Sequence, residues 1–307
     1  MRIAVVGAGG IGGIYGAALA KAGADVTFVA RGAHLAAMQE NGLRIEGDRG
    51  ETLVRPAQAT DDIAAIGPVD VVLFCVKLWD VDSAGARLGP LIGPDGAVIP
   101  LQNGIDAAER LTALLGPDAV MGGTAFVTGT IVEPGVVRQT GTYQQMTFGE
   151  LDGRISPRGE RLRELCASAG IDGVLSPDIM VPIWTKFILL VPLAGLSALT
   201  RRPLGEWRDD ADLAALFEAA LRETVAVGRA EGVRLPADTI DQTMAAVRAM
   251  PPYHFASMGN DVRRGNRIEL PWIAGKVVEL GHRHAIPTPA NSFIYAALKL
   301  HINGTPA

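Results

Sequence analysis

A glycine-rich turn close to the start of the chain has the spacing needed to hold a phosphate. Gly7-Ala8-Gly9-Gly10-Ile11-Gly12 satisfies G-x-G-x-x-G directly after the apolar run at residues 3–6 and before a helical pattern. In such a turn the first glycine permits the sharp bend, the second lets a pyrophosphate approach, and the third lets the helix lie against the strand. The helix N-terminus adds N–H groups and a positive dipole end. We predict a dinucleotide site at Gly7, Gly9, Gly10, Ile11 and Gly12; the alternative is a tight turn without a ligand.

The end of the second predicted strand, at residues 25–30, indicates which dinucleotide this would be. A protein that binds NAD usually places an acidic residue about 20 residues after the turn, where it holds the ribose 2′-hydroxyl. This chain has Arg31 instead. A guanidinium can pair with a 2′-phosphate through charge-assisted hydrogen bonds, which favours NADP over NAD. The alternative is an exposed arginine without a ligand, which is common at the end of a strand.

Two further strand ends carry polar side chains. Lys77 follows the apolar run at residues 70–76, and Asn103 follows the run at residues 97–101. Ligands of parallel sheets bind outside the carboxyl ends of the strands. Alone, each residue fits a solvated lysine or an ordinary Asn-Gly turn. Together, we expect them to line the nicotinamide and substrate sites.

A lysine lies inside an apolar helical stretch in the second half of the chain. Lys186 is preceded by Ile183-Trp184-Thr185 and followed by Phe187-Ile188-Leu189-Leu190. Its ammonium either extends to solvent or reaches a site where partial desolvation lowers its pKa and suits it to donate a proton. Further along the chain, Ser257 and Glu269 offer a hydroxyl and a carboxylate, although Glu269 could simply favour the start of a following helix.

The elements that position these residues change character near residue 175. Before that point strands alternate with helices, which predicts a doubly wound α/β domain with a mostly parallel sheet. Its strands are expected at residues 3–6, 25–30, 70–76, 97–101 and 119–127, with a hairpin at 43–54, short β-like pieces between 129 and 149, and a helix at 157–169. After it, helices are expected at residues 178–199, 210–231, 237–250, 253–264, 271–282 and 289–300. The predicted domains are therefore residues 1–175 and 176–307.

Start and stop signals support several of these helices. We expect the Thr288 hydroxyl to cap the last helix, with Pro289 at its first position. Three glycines lie where helices should end, namely Gly232, Gly265 and Gly281.

Composition excludes several classes of protein. With 307 residues and a formal charge of −5, the chain fits two folded domains and has no basic excess for nucleic acid. The uncharged residues 3–20 are too rich in glycine for a signal peptide or a membrane span, and residues 187–199 are short and contain Pro192. The two cysteines show no metal-ligand spacing. We expect a cytoplasmic protein that binds no metal, membrane or nucleic acid.

Taken together, these residues resemble the 2-dehydropantoate 2-reductase (ketopantoate reductase) family over nearly the whole chain. The resemblance rests on GAGGIG, Arg31, Lys77 in CVKLWD, Asn103 in LQNGID, Trp184-Thr185-Lys186, Ser257-Met258 and Arg267-Ile268-Glu269. It implies a Rossmann domain followed by an all-helical domain like those of the 6-phosphogluconate dehydrogenase superfamily, whose members commonly form homodimers. It also implies NADPH and the reduction of a 2-keto acid to a 2-hydroxy acid, as in pantothenate biosynthesis.

The resemblance also implies a role for each site residue. Lys186 would be the general acid and Glu269 its partner. Asn103 and Ser257 would contact the substrate or the lysine, and Lys77 and Asn103 would lie on the cofactor side.

The chain departs from the family next to the lysine. Ketopantoate reductases usually carry asparagines four and eight residues after it, where this chain has Leu190 and Ala194. Residues i, i+4 and i+8 share a helix face, so both changes would alter the substrate pocket. One alternative is a related NADP-dependent dehydrogenase for a less polar keto or hydroxy acid. Another is a non-catalytic NADP-binding sensor or interaction module.

Overall fold

The computed structural model describes residues 1–305, and the chain divides into two units. The first contains Met1–Gln102 and Asp106–Met180, and the second contains Asn103–Ile105 and everything from Val181 onward. The division therefore follows Met180, a few residues beyond the composition change near residue 175. A short stretch around Asn103 belongs to the second unit although its flanks belong to the first.

The first unit is built on a parallel sheet. Its strands and those of its second sheet are β1 (Arg2–Val6), β2 (Asp25–Val29), β3 (Leu43–Gly47), β4 (Thr52–Val54), β5 (Gln58–Thr60), β6 (Val69–Phe74), β7 (Ile92–Pro100), β8 (Met121–Glu133), β9 (Val136–Glu150) and β10 (Asp172–Leu175). The order β5-β2-β1-β6-β7 is parallel throughout. The apolar side chains of β1 and β6 are buried, as expected for a sheet covered on both faces. The predicted α/β domain is confirmed.

A second sheet departs from the sequence prediction. We expected a strand at residues 119–127 and then short β-like pieces, whereas β8 and β9 form one long antiparallel hairpin. This hairpin pairs with β3 and β10, giving the order β10-β9-β3-β4 with β8 alongside β9. Glycine and threonine interrupt the alternation of apolar residues along β8, which hides the strand from pattern analysis. The short strand β10 was missed because its backbone pairing with β9 needs no apolar run.

Helices flank the sheets of the first unit and make up the second. They are α1 (Gly10–Lys21), α2 (Gly32–Asn41), α3 (Val81–Gly85), α4 (Ala107–Leu115), α5 (Pro157–Ser168), α6 (Met180–Thr200), α7 (Leu204–Trp207), α8 (Ala211–Ala230), α9 (Thr239–Ala249), α10 (Ser257–Arg263), α11 (Ala274–Arg283) and α12 (Pro289–Leu298). Beyond Val181, the described residues contain helices and turns but no strand. The predicted helical domain is therefore confirmed.

The long helix α6 is apolar around most of its circumference. Its length and composition would suffice to cross a membrane, but 67% of its most apolar 18-residue window is buried within the protein, as in the core helix of a folded domain. The Trp184 and Phe187 rings meet edge to face, and α8 comes close enough that a Cβ on Gly228 would lie 2.7 Å from the Trp184 ring. Although Pro192 cannot donate a helical hydrogen bond, the helix continues through it.

Two of the predicted helix signals are wrong. Thr288 precedes α12 but makes no capping hydrogen bond; instead the Glu223 carboxylate accepts from the backbone N–H groups of Ala290 and Asn291. A carboxylate satisfies these N–H groups and also complements the positive helix end. Gly281 lies inside α11 instead of ending it. It is glycine for a packing reason, since a Cβ there would lie 2.6 Å from Thr288 Cγ2.

A buried ion pair joins α5 to the second sheet. Both oxygens of Glu150 accept from Arg158, at 2.7 and 2.6 Å, while Arg158 Nη1 also donates to the carbonyls of Gly96 and Asp118. The side chains are 3% and 10% exposed. Burial acts to raise the pKa of Glu150, but hydrogen bonds from Arg158 and Ser156 outweigh it and hold the pKa below the usual range. At pH values above the ordinary pKa of glutamate, this pair stabilises the fold. Its contribution is lost as the pH falls through the lowered pKa of Glu150.

Replacing Arg158 with methionine should destabilise the protein strongly, because the buried Glu150 charge loses its two short hydrogen bonds to Arg158 and keeps only Arg154, at 3.8 Å, as a cationic partner. We expect the free energy of unfolding at pH 7 to fall by about 3–5 kcal/mol, measured by urea denaturation. The matched control is Arg163→Met on the same helix, whose pair with Glu160 is largely exposed and should contribute less than about 1 kcal/mol. Equal effects of the two substitutions would contradict this account of the pair.

Candidate functional site

The three glycines of the G-x-G-x-x-G turn have the geometry expected for their positions. Gly7 has φ of 99°, and a Cβ on it would lie 2.8 Å from the carbonyl oxygen of Cys75. A Cβ on Gly12 would lie 2.8 Å from Val5 Cγ1, so this glycine lets α1 rest on β1. By contrast, nothing lies within 4 Å of a Cβ on Gly9. The space above Gly9 is therefore open for a ligand to approach the backbone.

Gly10 has a different reason to be glycine. A side chain there would overlap the backbone of Gly129, which lies on β8. The two glycines thus let the first turn of α1 press against the long hairpin. From its place in the motif, Gly10 is predicted to contact only the cofactor; its contact with Gly129 has no signal in the sequence, because the two residues lie far apart in the chain.

The start of α1 fits a bound pyrophosphate. Its first N–H groups, at Gly10, Ile11 and Gly12, have no intrahelical partner by position, and the first turn contains no acidic residue. These N–H groups and the positive dipole end form an anion site.

His34 braces this turn, and sequence analysis did not identify it. Its Nδ1 accepts a hydrogen bond from the Gly135 N–H at 3.0 Å, so its Nε2 carries the proton and donates to the Ala8 carbonyl at 2.8 Å. The ring therefore links the centre of the glycine turn to the turn between β8 and β9. Only a contact between distant segments reveals this role, since no spacing in the sequence indicates it.

Arg31 lies just after β2, where the second strand of a dinucleotide-binding domain meets the adenosine ribose. Its side chain is 83% exposed, and its Nη2 lies 3.5 Å from a carboxylate oxygen of Asp80. The guanidinium is thus accessible to a 2′-phosphate, and Asp80 lies beside it as a competing anion.

At the end of β6, Lys77 is exposed and its ammonium lies 5.6 Å from the centre of the Trp79 ring. The neighbouring Gln102 is buried and donates its amide to the carbonyls of Phe74 and Val76, at 2.9 and 3.2 Å. Its Oε1 is also buried and has no hydrogen-bond partner. A hydrogen-bond donor of a bound ligand would satisfy this buried oxygen. Together with the open space at Gly9, it fits the binding of a dinucleotide.

In the helical unit, Lys186 and Glu269 act on one another. Lys186 lies on α6 and is half-buried. Removal from water lowers its pKa to about 8, while the Glu269 carboxylate acts in the opposite direction. A lysine in this state holds a proton at neutral pH and releases it more readily than one in solvent. The structure thus brings together the two residues that the resemblance named as catalytic.

The remaining predicted residues occupy distinct places in the same unit. Asn103 belongs to this unit, and Ser257 is the exposed first residue of α10. The continuous helix α6 puts Leu190 and Ala194 one and two turns beyond Lys186; Leu190 is half-buried and Ala194 is 2% exposed. Their predicted roles at a substrate stay predictions.

Ser197, on the same side of α6, was not singled out from the sequence. It is fully buried, and its hydroxyl accepts a hydrogen bond from the Ala256 N–H at 3.4 Å. This contact fixes the start of α10, which carries Ser257. A single serine within an apolar helix was the sequence feature that could have indicated this contact.

Nearly the whole chain matches known proteins. The family model described as ketopantoate reductase PanE/ApbA matches residues 3–153, and the model of that family's C-terminal domain matches residues 178–302. A 2-dehydropantoate 2-reductase of Caulobacter vibrioides is 32% identical over 296 residues, which cover 96% of this chain and 97% of that protein.

Solved structures give the same result. The crystal structure of a PanE/ApbA family ketopantoate reductase from Ralstonia eutropha JMP134 has a TM-score of 0.90 at 32% identity, covering 98% of each chain. The ternary structure of D-mandelate dehydrogenase with NADH and anilino(oxo)acetate also has a TM-score of 0.90, but at 19% identity it shows a shared fold alone.

These matches cover both units. The chain is a pyridine-nucleotide oxidoreductase, and it belongs to the ketopantoate reductase PanE/ApbA family.

Proposed function

We propose that the protein reduces a 2-keto acid to the 2-hydroxy acid with NADPH, and that 2-dehydropantoate is its first candidate substrate. The observation that supports this most directly is the half-buried Lys186 with a lowered pKa and Glu269 as its charged partner. The 2-dehydropantoate 2-reductases among its relatives are named for this reaction.

In this reaction the protein supplies a proton and the cofactor supplies the electrons. A dinucleotide held at the glycine turn would supply the hydride for the carbonyl carbon. The Lys186 ammonium donates a proton to the carbonyl oxygen, which becomes the hydroxyl, and the neutral amine then takes a proton from water. Donation to the forming alkoxide contributes typically 10²–10⁴-fold to rate.

Glu269 sets how readily Lys186 holds its proton. Without the carboxylate, burial alone would lower the pKa of the lysine further. At neutral pH a larger fraction of the enzyme would then lack its acid. Glu269 therefore keeps the lysine protonated, while burial keeps it acidic enough to react.

We assign cofactor preference to Arg31 and Asp80 together. Arg31 supplies a planar, exposed guanidinium for the 2′-phosphate of NADPH. Asp80 already lies beside that guanidinium and would repel the phosphate. Attraction of the 2′-phosphate to Arg31 favours NADPH over NADH, and repulsion from Asp80 opposes it. We therefore expect a moderate preference for NADPH.

A second candidate substrate follows from the helix face that carries Lys186. The usual family amides are replaced by Leu190 and Ala194, which offer no hydrogen bond. Each lost hydrogen bond weakens recognition of a polar substrate by about 1 kcal/mol. A 2-keto acid with an aliphatic or aromatic side chain would lose nothing at these positions.

A non-catalytic NADP-binding protein would need the glycine turn and Arg31, but not a desolvated lysine paired with a glutamate. Tight NADPH binding without turnover of any keto acid would favour that alternative. The expected cytoplasmic location and homodimer stay predictions.

The first prediction concerns the proton donor. Lys186→Ala should lower kcat by about 10²–10⁴-fold and leave the Kd for NADPH within about twofold, because the lysine serves the reaction and not the cofactor. Lys299→Ala, at an exposed lysine of the same unit, is the control and should be unchanged. Wild-type turnover in Lys186→Ala would refute the assignment.

The pH dependence provides a sharper measurement. Because the donor must be protonated, kcat/KM for reduction should be constant below about pH 8 and fall tenfold per pH unit above it. Glu269→Gln removes the charge that raises the pKa of Lys186, so the fall should begin at a lower pH. A fall that begins at the same or a higher pH would show that Glu269 does not act on the lysine.

The second prediction concerns the cofactor. Arg31→Ala should weaken NADPH binding about tenfold and leave NADH binding nearly unchanged, because only NADPH carries the 2′-phosphate. Asp80→Asn should tighten NADPH binding by about two- to fivefold, in line with a partly exposed charge. The control is Arg87→Ala, an exposed arginine of the same unit. Equal wild-type affinities for the two cofactors would contradict the proposed preference.

The third prediction concerns the substrate. NADPH oxidation should be followed with 2-dehydropantoate, 2-oxo-4-methylpentanoate and phenylpyruvate. If the apolar face sets specificity, one of the two apolar acids gives the highest kcat/KM, and Leu190→Asn lowers it while raising that of 2-dehydropantoate by about fivefold. A wild-type preference for 2-dehydropantoate that Leu190→Asn does not change would rule out the less polar substrate.

A further inference from the structure

We propose that the first unit carries a second ligand site, which binds a small organic anion with an apolar body. A cavity of about 410 Å³ lies along α1, beside the second sheet. Its lining includes two cationic side chains, two buried amides and apolar residues of α1; those that carry the argument are Lys21, Arg49, Gln139, Gln144, Ile14 and Ala18. None of the residues that line it carries a carboxylate.

Two buried amides on the β9 side of the cavity lack partners. Gln139 and Gln144 are 4% and 7% exposed, and the Nε2 atom of each is buried without a hydrogen-bond partner. A buried donor left unsatisfied costs about 1–3 kcal/mol. A ligand with hydrogen-bond acceptors, bound in this cavity, would remove the cost of both unsatisfied donors.

Arg49 determines how one of these amides is turned. Its Nη1 donates to Gln144 Oε1 at 2.5 Å, so the amide oxygen faces the guanidinium and the NH₂ group remains as the unsatisfied donor. Its Nη2 donates to the Gly170 carbonyl at 3.0 Å. These two acceptors are neutral, so they hold the guanidinium in place without cancelling its charge.

The charge of the cavity defines the ligand. Lys21 and Arg49 bring positive charge, the glutamines bring donors, and the lining contains no acidic side chain. Such a set of groups favours an oxyanion, either a carboxylate or a phosphate. Ile14, Ala17 and Ala18 form an apolar wall on the helix side. The matching ligand therefore has a short hydrocarbon body and one anionic end.

This site is separate from the dinucleotide turn. None of the turn residues lines the cavity. The turn lies at the N-terminal end of α1 and Lys21 at its C-terminal end, about 17 Å away along the axis at about 1.5 Å per residue. A ligand in the cavity would occupy the other end of the same helix and would not compete for the turn.

The test measures binding to the full chain by calorimetry, with NADP⁺ present at saturation. The probes are 4-methylpentanoate and isopentyl phosphate, which share the hydrocarbon body and differ in the anion, and the neutral 4-methylpentanamide. We expect at least one anion to bind in the millimolar range or tighter and the amide at least tenfold more weakly. The tighter anion identifies the class of ligand. Failure of both anions to bind at 10 mM overturns the proposal.

Variants locate the binding within the chain. Lys21→Gln should weaken binding about three- to fivefold, as for an exposed charge, and Ala18→Leu should fill the cavity and weaken it at least tenfold. Lys299→Gln, at an exposed lysine of the other unit, is the matched control. Unchanged affinity in both cavity variants would place the anion elsewhere and refute the site. Because heat of binding is measured, the result does not depend on turnover of a keto acid.

Gln139→Leu separates a ligand site from a defect of packing. The substitution removes a buried donor without a partner, so the ligand-free protein should melt at a higher temperature while probe affinity falls. A variant that keeps full probe affinity would show that this amide takes no part in binding and would contradict the proposed site.

Discussion

The close approach of backbones around the glycine turn is the constraint on which the first unit depends. Gly12 rests on β1, Gly7 turns against the backbone of Cys75, and Gly10 meets Gly129 of the long hairpin. A Cβ at any of these positions would push α1 away from the sheet or from the hairpin. Because α1 is held on several sides, the N–H groups at its start stay fixed, and a fixed set of donors binds an anion without first being ordered.

The helical unit solves a different problem, which is to keep a lysine half-buried and still protonated. Burial and the Glu269 carboxylate shift the pKa of Lys186 in opposite directions, and burial is the stronger effect. A pKa near 8 is the balance between them. Both effects serve the proton donation that we propose, since a fully solvated lysine is a weaker acid and burial without the carboxylate would lower the pKa of Lys186 further.

Much of the fold and of the candidate site could be predicted, because short stretches of sequence determine it. The glycine turn, the lysine in an apolar helix and the change from mixed elements to helices all depend on neighbours within a few residues. The parts that were missed join distant segments. His34 links two turns, and Glu223 caps α12 in place of Thr288. Pairing between β8 and β9 likewise became visible only as backbone hydrogen bonds.

Leu190 and Ala194 bear on the acidity of Lys186 as well as on the proposed substrate. Because α6 is continuous, Leu190 and Ala194 share a face with Lys186. Amides there would solvate an ammonium, whereas a leucine and an alanine do not. Apolar residues on this face therefore make the charged lysine less stable and the lysine a stronger acid. If this face accepts a less polar keto acid, as we propose, the same apolar surroundings add to the desolvation that lowers the pKa of Lys186, and the Glu269 carboxylate opposes that shift.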